Sequence, residues 1–179
     1  MKALLKFSAV IDWINAKLGL AANACVLLAC IVSAVNAMIR YAFDISSNAW
    51  LELQWYMFAV IVMFGASYTL QRNEHVRVDV VYMTLSERKQ EWVDIIGTVL
   101  FLLPACAVIG WYSWPFFYES WKVGEVSSNA GGLIRWPVKF IIPLGFGLLF
   151  LQGLSEIIKR VAALEGEQVE LVKYERPDQ

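Results

Sequence analysis

A long run without charged residues, from residue 18 to residue 39, constrains the fold of this chain more than any other feature. The run has 22 residues and contains no Asp, Glu, Lys or Arg. As an α-helix it measures roughly 33 Å at 1.5 Å per residue, which is enough to cross the hydrocarbon core of a bilayer. The sequence therefore predicts a transmembrane helix at this position.

Three further apolar runs and the composition extend this prediction to the whole chain. The additional runs cover residues 53–70, 92–118 and 138–158. The chain is 59% hydrophobic and 17% charged, whereas soluble domains have roughly 45–50% apolar and about 25% charged residues. Many of the Trp and Tyr residues stand at the ends of the runs, where amphipathic rings prefer the headgroup region. We predict an all-α integral membrane protein whose transmembrane domain, residues 18–158, contains four helices.

The two ends of the chain differ from the transmembrane domain. Residues 1–17 place apolar side chains at helical spacing and lysines mostly elsewhere, a pattern that predicts an amphipathic helix on the membrane surface. We expect this segment to be retained, because its charged part and the following run are both too long for a typical signal peptide. Residues 159–179 carry many acids and few apolar side chains, which predicts a mobile cytoplasmic tail.

The distribution of basic residues predicts the orientation. Eleven Lys and Arg residues lie in the two ends and in the middle loop around residues 71–91, and the other four lie in the remaining connections. Cytoplasmic segments of membrane proteins are enriched in Lys and Arg. We therefore expect a multi-pass membrane protein with both termini in the cytoplasm, in contact with membrane lipids.

Small and polar residues form stripes on two of the predicted helices. One stripe runs from Ala22 to Arg40 in steps of three or four residues, and another runs from Gly145 to Glu156. Small residues let helix backbones approach closely in lipid, where packing and hydrogen bonds hold helices together. These stripes and the start of the second helix predict an interface with a partner, formed by Ala22, Ala29, Ser33, Arg40, Trp50, Glu52, Gly145, Gln152 and Glu156.

Glu52 is the ionisable residue with the strongest claim to a function. A carboxylate near bilayer depth suggests ion or proton coupling. However, Glu52 follows the interfacial marker Trp50 by two residues, and Arg40 ends the preceding run on the same side. We therefore favour a structural ion pair with Arg40, or a contact with another subunit, over coupling chemistry.

The sequence gives little support to catalysis or to a cofactor. His75 is the single histidine, and Cys25, Cys30 and Cys106 lie in apolar segments without metal-ligand spacing. We interpret Arg72, His75 and Asp79 as a structural turn at the cytoplasmic surface. Phosphate loops, nucleophile–base pairs and paired carboxylates are not evident, and a net charge of −1 offers no basic surface for nucleic acid. We predict a protein with no catalytic site, no cofactor, no metal and no nucleic-acid partner.

Four groups of residues, in this order and spacing, resemble one transporter family between about residues 16 and 160. The groups are Arg40-Tyr41, Phe43, Trp50 and Glu52; then Gly65-Ala66-Ser67, Arg72 and the HVRVD turn; then Trp121, Gly124-Glu125, Ser127-Ser128-Asn129 and Trp136-Pro137; and finally Pro143-Leu144-Gly145. The chain is similar to the small membrane subunit (DctQ-like, or Q) of tripartite ATP-independent periplasmic (TRAP) transporters. It departs from many relatives at Leu53, where they carry a second acid beside the one at Glu52.

The resemblance implies a function that the residues alone do not give. In that family a periplasmic protein binds an organic anion, usually a carboxylate, and a large membrane subunit (M type) moves it inward with sodium. The small subunit braces the large one, which implies a non-catalytic role in symport for this chain. Two alternatives stay open: an autonomous ion-coupled transporter that uses Glu52, and the membrane anchor of a redox enzyme.

Overall fold

Four long helices make up the fold in a computed structural model, which describes residues 1–45, 47–75, 82 and 84–167. They are α1 (Lys2–Phe43), α2 (Asn48–Gln71), α3 (Glu87–Lys122) and α4 (Trp136–Leu164). Each is long and apolar enough to cross a membrane. Within the described residues the extended structure amounts to one isolated antiparallel bridge, between Val126 and Ile134. The prediction of an all-helical protein is confirmed for the described residues, as are four helices long and apolar enough to span a membrane.

Local sequence explains where several helices begin and end. α1 ends at Phe43, and Asp44 after it adopts a left-handed conformation with φ of 55°, a common way to terminate a helix. α2 begins after Ser47, whose hydroxyl accepts a hydrogen bond from the amide of Ala49. α4 begins at Trp136 with Pro137 in its first turn. N–H groups in the first turn have no intrahelical acceptor, so a proline there costs no hydrogen bond.

The first helix is longer than the sequence predicted. Residues 1–17, expected to form a separate surface helix, and the run 18–39 belong to one helix of 42 residues. The face of the early turns that carries Ser8, Ile11 and Asn15 is buried in the bundle. This corrects the expected division, because these early turns pack against other helices of the chain.

The third helix contains an irregular turn in its first half. A π-helical segment, Thr98–Leu102, joins two α-helical parts, and the amide of Leu103 donates to the carbonyl of Thr98 five residues earlier. Pro104 follows directly. Proline lacks an amide donor and crowds the preceding helical turn, so the wider π turn relieves this conflict.

The last helix is the centre of the bundle. α4 packs against α1, α2 and α3; α1 and α2 pack against each other, and α3 packs chiefly against α4. The helix continues to Leu164, six residues past the predicted end of the crossing at residue 158. Lys159 and Arg160, assigned above to a mobile tail, are buried. The predicted beginning of the tail at residue 159 is therefore wrong, because both side chains bond to other helices. Residues 168–179 lie outside the described part.

Candidate functional site

A buried polar cluster connects the start of α1 to the end of α4. We call it the polar core; its members are Ser8, Asp12, Asn15, Gln152, Ser155, Glu156 and Lys159. Asn15 and Gln152 are fully buried, and the Nδ2 of Asn15 donates to the Oε1 of Gln152 at 2.6 Å. The two serine hydroxyls are 2.7 Å apart. Side chains more than 130 residues apart in sequence therefore fix the register of the two helices.

Two carboxylates and one lysine supply the charge of the polar core. The Nζ of Lys159 lies 3.1 Å from Asp12 Oδ2 and 2.5 Å from Glu156 Oε1. The Nε2 of Gln152 donates to Asp12 Oδ1 and Glu156 Oε1, each at 2.9 Å. Because one lysine neutralises only one of two negative charges, the amide and hydroxyl donors must solvate the remainder in place of water.

The second helix also reaches this cluster. The Nε2 of Gln71, the last residue of α2, donates to the backbone carbonyl of Asp12 at 3.1 Å. The Oδ1 of Asn15 and the Oε1 of Gln71 are buried and have no hydrogen-bond donor among the described residues. Gln71 therefore joins α2 to the polar core, and two buried acceptors at this junction have no donor among the described residues.

A second ion cluster attaches α3 to α4 close to the polar core. Arg160 Nη1 lies 2.6 Å from Glu91 Oε2 and 2.7 Å from Asp94 Oδ2. Tyr82 also donates its hydroxyl to Asp94, at 2.8 Å. Arg160 immediately follows Lys159, so successive residues of α4 bind α1 and α3. All four helices are thus tied together by charged or polar groups at one end of the bundle.

At the opposite end, Glu52 organises the connection between α3 and α4. Its side chain is buried and accepts hydrogen bonds from the Ser127 hydroxyl, from Asn129 Nδ2 at 2.9 Å and from the Leu133 amide at 2.7 Å. Three donors from one loop surround one carboxylate, an arrangement that favours its ionised form. The result is a loop held down on the start of α2.

Backbone geometry gives this loop a compact shape. The Ser127 amide donates to the Leu133 carbonyl at 2.9 Å, and the Tyr56 hydroxyl of α2 donates to the Ile134 carbonyl at 2.6 Å. Gly131 has a positive φ of 71°, and a Cβ on Gly132 would overlap the side chain of Ser127. Glycine is therefore required at the tip, where the chain reverses direction.

An ion pair closes the base of the same loop. Glu125 accepts a hydrogen bond from the side chain of Lys139 in α4. This contact holds the pKa of the Glu125 carboxyl below its usual value. The loop is thus fixed to α2 through Glu52 and to α4 through Lys139.

The partner of Glu52 corrects one prediction. Among the described residues, the donors to Glu52 come from the loop between α3 and α4, and Arg40 is not one of them. The expected ion pair was inferred from nearness in sequence. The loop is about 75–81 residues further along the chain, and it reaches Glu52 because α4, which follows it, packs against α2.

A comparison with known protein families identifies the family of this chain. The family model described as "Tripartite ATP-independent periplasmic transporters, DctQ component" matches residues 9–163. The chain belongs to the DctQ family. It is therefore a component of a TRAP transporter and a multi-pass membrane protein, in agreement with the four apolar helices. A search of curated proteins found no significant match.

Within this DctQ component, five of the nine expected partner-interface residues are internal. Ala22 and Ala29 of α1 and Gly145, Gln152 and Glu156 of α4 are all buried. A Cβ placed on Gly145 would lie 2.6 Å from the side chain of Met63 in α2. These five positions are corrected to contacts within the bundle, because small and polar stripes bring its own helices together. Glu52 is also buried, whereas Ser33, Arg40 and Trp50 are exposed.

The predicted cytoplasmic turn is only partly described. Arg72 caps the end of α2 and its guanidinium lies 5.8 Å from the ring centre of Tyr68. His75 is exposed, and Asp79 lies outside the described residues. In the described part of the DctQ component, no group of three His, Cys, Asp or Glu side chains could hold a metal ion.

Most of the residues that hold the bundle together, Gln152 and Glu156 apart, were not predicted from the sequence. Ser8, Asp12 and Asn15 follow each other by three or four residues, as do Gln152, Ser155 and Lys159. A polar stripe on each of two long helices is a detectable signal that they bond to each other. It was missed because residues 1–17 and the segment after residue 158 were placed outside the bundle.

We expect Glu52→Gln to loosen the loop between α3 and α4. The amide would present an N–H₂ group to a site built from three donors, so at least one hydrogen bond would be lost. Limited proteolysis within residues 125–133 should become faster in the purified protein, while Glu119→Gln, which changes an exposed acid at the same end, should behave as wild type. Normal protection of the loop combined with loss of transport would favour ion coupling by Glu52.

Proposed function

We propose that this chain is a non-catalytic accessory subunit that braces the large membrane subunit of its TRAP transporter. In this role it supports sodium-driven uptake of an organic anion, in the class of carboxylates, delivered by a periplasmic binding protein. Membership in the DctQ family supports the tripartite setting. The particular role as a brace is supported by the contacts that the buried charged side chains make between helices.

The single observation that carries the proposal is that these charged side chains bond to groups on other helices and loops of the same chain. Asp12 bonds to Lys159, and Arg160 bonds to both Glu91 and Asp94. Glu52 is enclosed by three loop donors. Carboxylates that couple ions must exchange their ligand during each cycle, whereas these contacts hold helices together. The arrangement suits a fixed frame against which the mobile part of a partner can move.

The orientation belongs to the same proposal. With both termini in the cytoplasm, the polar core lies at the cytoplasmic end of an inner-membrane protein, and the Glu52 loop faces the periplasm. The excess of Lys and Arg at the termini and in the middle loop supports this direction.

Cysteine labelling tests the orientation. In intact cells, a membrane-impermeant thiol reagent should label Ser128→Cys and should not label Asn73→Cys or Glu167→Cys, since only the first faces the periplasm. The same reagent should label all three after the membrane is permeabilised. Labelling of Asn73→Cys or Glu167→Cys in sealed cells would contradict the orientation.

Reconstitution tests the accessory role. The isolated chain in proteoliposomes, under an inward sodium gradient and with the binding protein present, should take up no organic anion. The same vesicles with the large subunit added should take it up, which serves as the positive control. Sodium-dependent uptake by the isolated chain would contradict the proposal and support an autonomous transporter.

A further inference from the structure

Two open grooves lie between α1 and α2, one toward each end of the helix pair. The first, near the Glu52 end, has a volume of about 600 Å³ and is lined in part by Ser33, Asn36, Arg40 and Gln54. The second, about 500 Å³, lies toward the other end and is lined in part by Gly19, Asn23, Gly65, Ala66 and Thr69. Both volumes are large enough to receive side chains of another molecule.

The two grooves open on the same side of the helix pair. On α1 the lining residues follow one helical stripe, with Gly19 and Asn23 in one groove and Ser33, Ala37 and Arg40 in the other. On α2 the corresponding residues, from Leu51 through Val62 to Thr69, also recur at spacings that place them on one face. We call this side of the pair the α1–α2 seam.

The length of the seam indicates what can cover it. Gly19 and Arg40 are 21 residues apart on one helix, which corresponds to roughly 32 Å. That distance equals the thickness of the whole hydrocarbon core, about 30 Å. A single phospholipid covers one leaflet only, whereas a transmembrane helix covers both.

The polar side chains of the seam also make it unsuitable for contact with lipid tails. Asn23 and Ser33 lie within the predicted crossing, are exposed, and have no side-chain hydrogen bond within the described residues; Asn36 and Gln54 are half-buried and equally unpaired. Hydrocarbon offers no hydrogen bonds, and polar side chains in membrane helices usually face other protein. By contrast, the opposite face of α1 is apolar and exposed, at Leu20, Leu27, Ile31, Val35 and Met38.

From the length and the chemistry together we infer that the α1–α2 seam is the docking site for a transmembrane helix of the large membrane subunit. Gly65 and Ala37 allow the backbone of that helix to approach closely, and Asn36 and Gln54 provide hydrogen bonds to it. Arg40, exposed at one end of the seam, is placed to receive an acidic or carbonyl group of the partner. This inference rests on the proposed function, because it takes the large subunit as the partner.

Gly65→Leu tests the docking site with little disturbance of the chain itself. A Cβ on Gly65 would meet no atom within 4 Å, so the larger side chain projects into the groove. Gly147→Leu is the matched control, because Gly147 lies on α4, outside both groove linings, and its Cβ would also meet nothing within 4 Å. With the tagged chain and the large subunit co-expressed, Gly65→Leu should lower the recovered large subunit about tenfold or more. Gly147→Leu should leave the recovery at the wild-type level.

A second variant decides the matter if Gly65→Leu unfolds the chain. Asn36→Leu removes an unpaired amide and adds apolar surface, so a lipid-facing position would tolerate it well. Docking through the seam predicts instead that Asn36→Leu lowers recovery of the large subunit several-fold while the thermal stability of the isolated chain is maintained. Leu27→Asn on the apolar face should retain the large subunit if it inserts normally.

The outcomes separate this inference from the accessory role. Wild-type recovery of the large subunit with both Gly65→Leu and Asn36→Leu would overturn the docking site and leave the accessory role intact. Loss of self-association of the isolated chain in Gly65→Leu, with normal recovery of the large subunit, would also overturn it, since the seam would then bind a second copy. Uptake by the isolated chain would contradict the accessory role whatever the seam binds.

Discussion

Lys159→Met should destabilise the isolated chain by about 3–5 kcal/mol, the largest effect that we expect from a single substitution. Lys159 is the only cation in the polar core, where it contacts both Asp12 and Glu156. Its removal leaves the buried Glu156 and the half-buried Asp12 without a neutralising charge, and a buried ion that loses its partner costs about this much. Thermal unfolding of the purified chain in detergent measures the effect.

The control for this prediction is Lys17→Met, which removes an exposed lysine from the same end of α1. It should change stability by less than about 0.5 kcal/mol, as most surface substitutions do. Replacement of the carboxylates along with the lysine should recover much of the loss, because apolar replacement of a complete buried ion cluster is often neutral. Equal stability of Lys159→Met and wild type would contradict the role assigned to the polar core.

Gly145→Leu should produce the second large effect, a loss of about 1–3 kcal/mol or more. Gly145 is buried where α4 crosses α2, and a Cβ there would lie 2.6 Å from Met63 Cβ and 3.3 Å from its Cα. The helices must separate to admit any side chain. Thermal unfolding of the isolated chain should reveal the loss before any partner is added.

Gly147→Leu provides the control for packing within the same helix. It lies two residues along α4, is exposed, and has open space around its Cβ. Both substitutions make the same chemical change, and both raise the helix propensity of α4. If Gly145→Leu leaves the isolated chain as stable as Gly147→Leu does, the close packing of α2 on α4 is not supported.

The four-helix fold could be predicted because its signal is local. Apolar runs of about 20 residues have few alternatives to a membrane helix, since every backbone polar group in lipid must be satisfied within the segment. The limits of the bundle were harder to predict. Asp12 and Lys159 look like residues of solvated ends when each is considered alone, and their ion pair becomes evident only when the two helix ends meet.

The interface residues show a second limit of sequence reasoning. The spacing of Ala22, Ala29 and Gly145 correctly marks faces where helices approach closely. Spacing does not reveal whether the approaching helix belongs to the same chain, and here all three residues are buried inside the bundle. Ser33 and Arg40 belong to the same stripe of α1 but are exposed, because they line the open groove of the α1–α2 seam. The spacing of small residues along a helix therefore shows which face makes a contact, but it does not show which helix packs there.

The partner of Glu52 could not be predicted for a related reason. The residue was interpreted as a structural carboxylate, but its donors Ser127, Asn129 and Leu133 come from a distant loop. That loop has the glycine and asparagine content of a tight turn. Its composition does not show where it docks, because that position depends on the packing of α4 against α1 and α2.

The central claim, that this chain is a fixed frame, can be tested by locking two of its helices together. Ser8 and Ser155 have their hydroxyl oxygens 2.7 Å apart across α1 and α4. In a chain whose Cys25, Cys30 and Cys106 are replaced by alanine, Ser8→Cys combined with Ser155→Cys should form a disulfide on oxidation. The measurement is sodium-driven uptake by the complete transporter before and after oxidation, with each single variant as control.

A frame predicts that the oxidised double variant transports at the same rate as its reduced form, because α1 and α4 keep their contact throughout the cycle. A subunit that moves during transport predicts a different result. Uptake that stops on oxidation, returns on reduction, and is unaffected in either single variant would contradict the account.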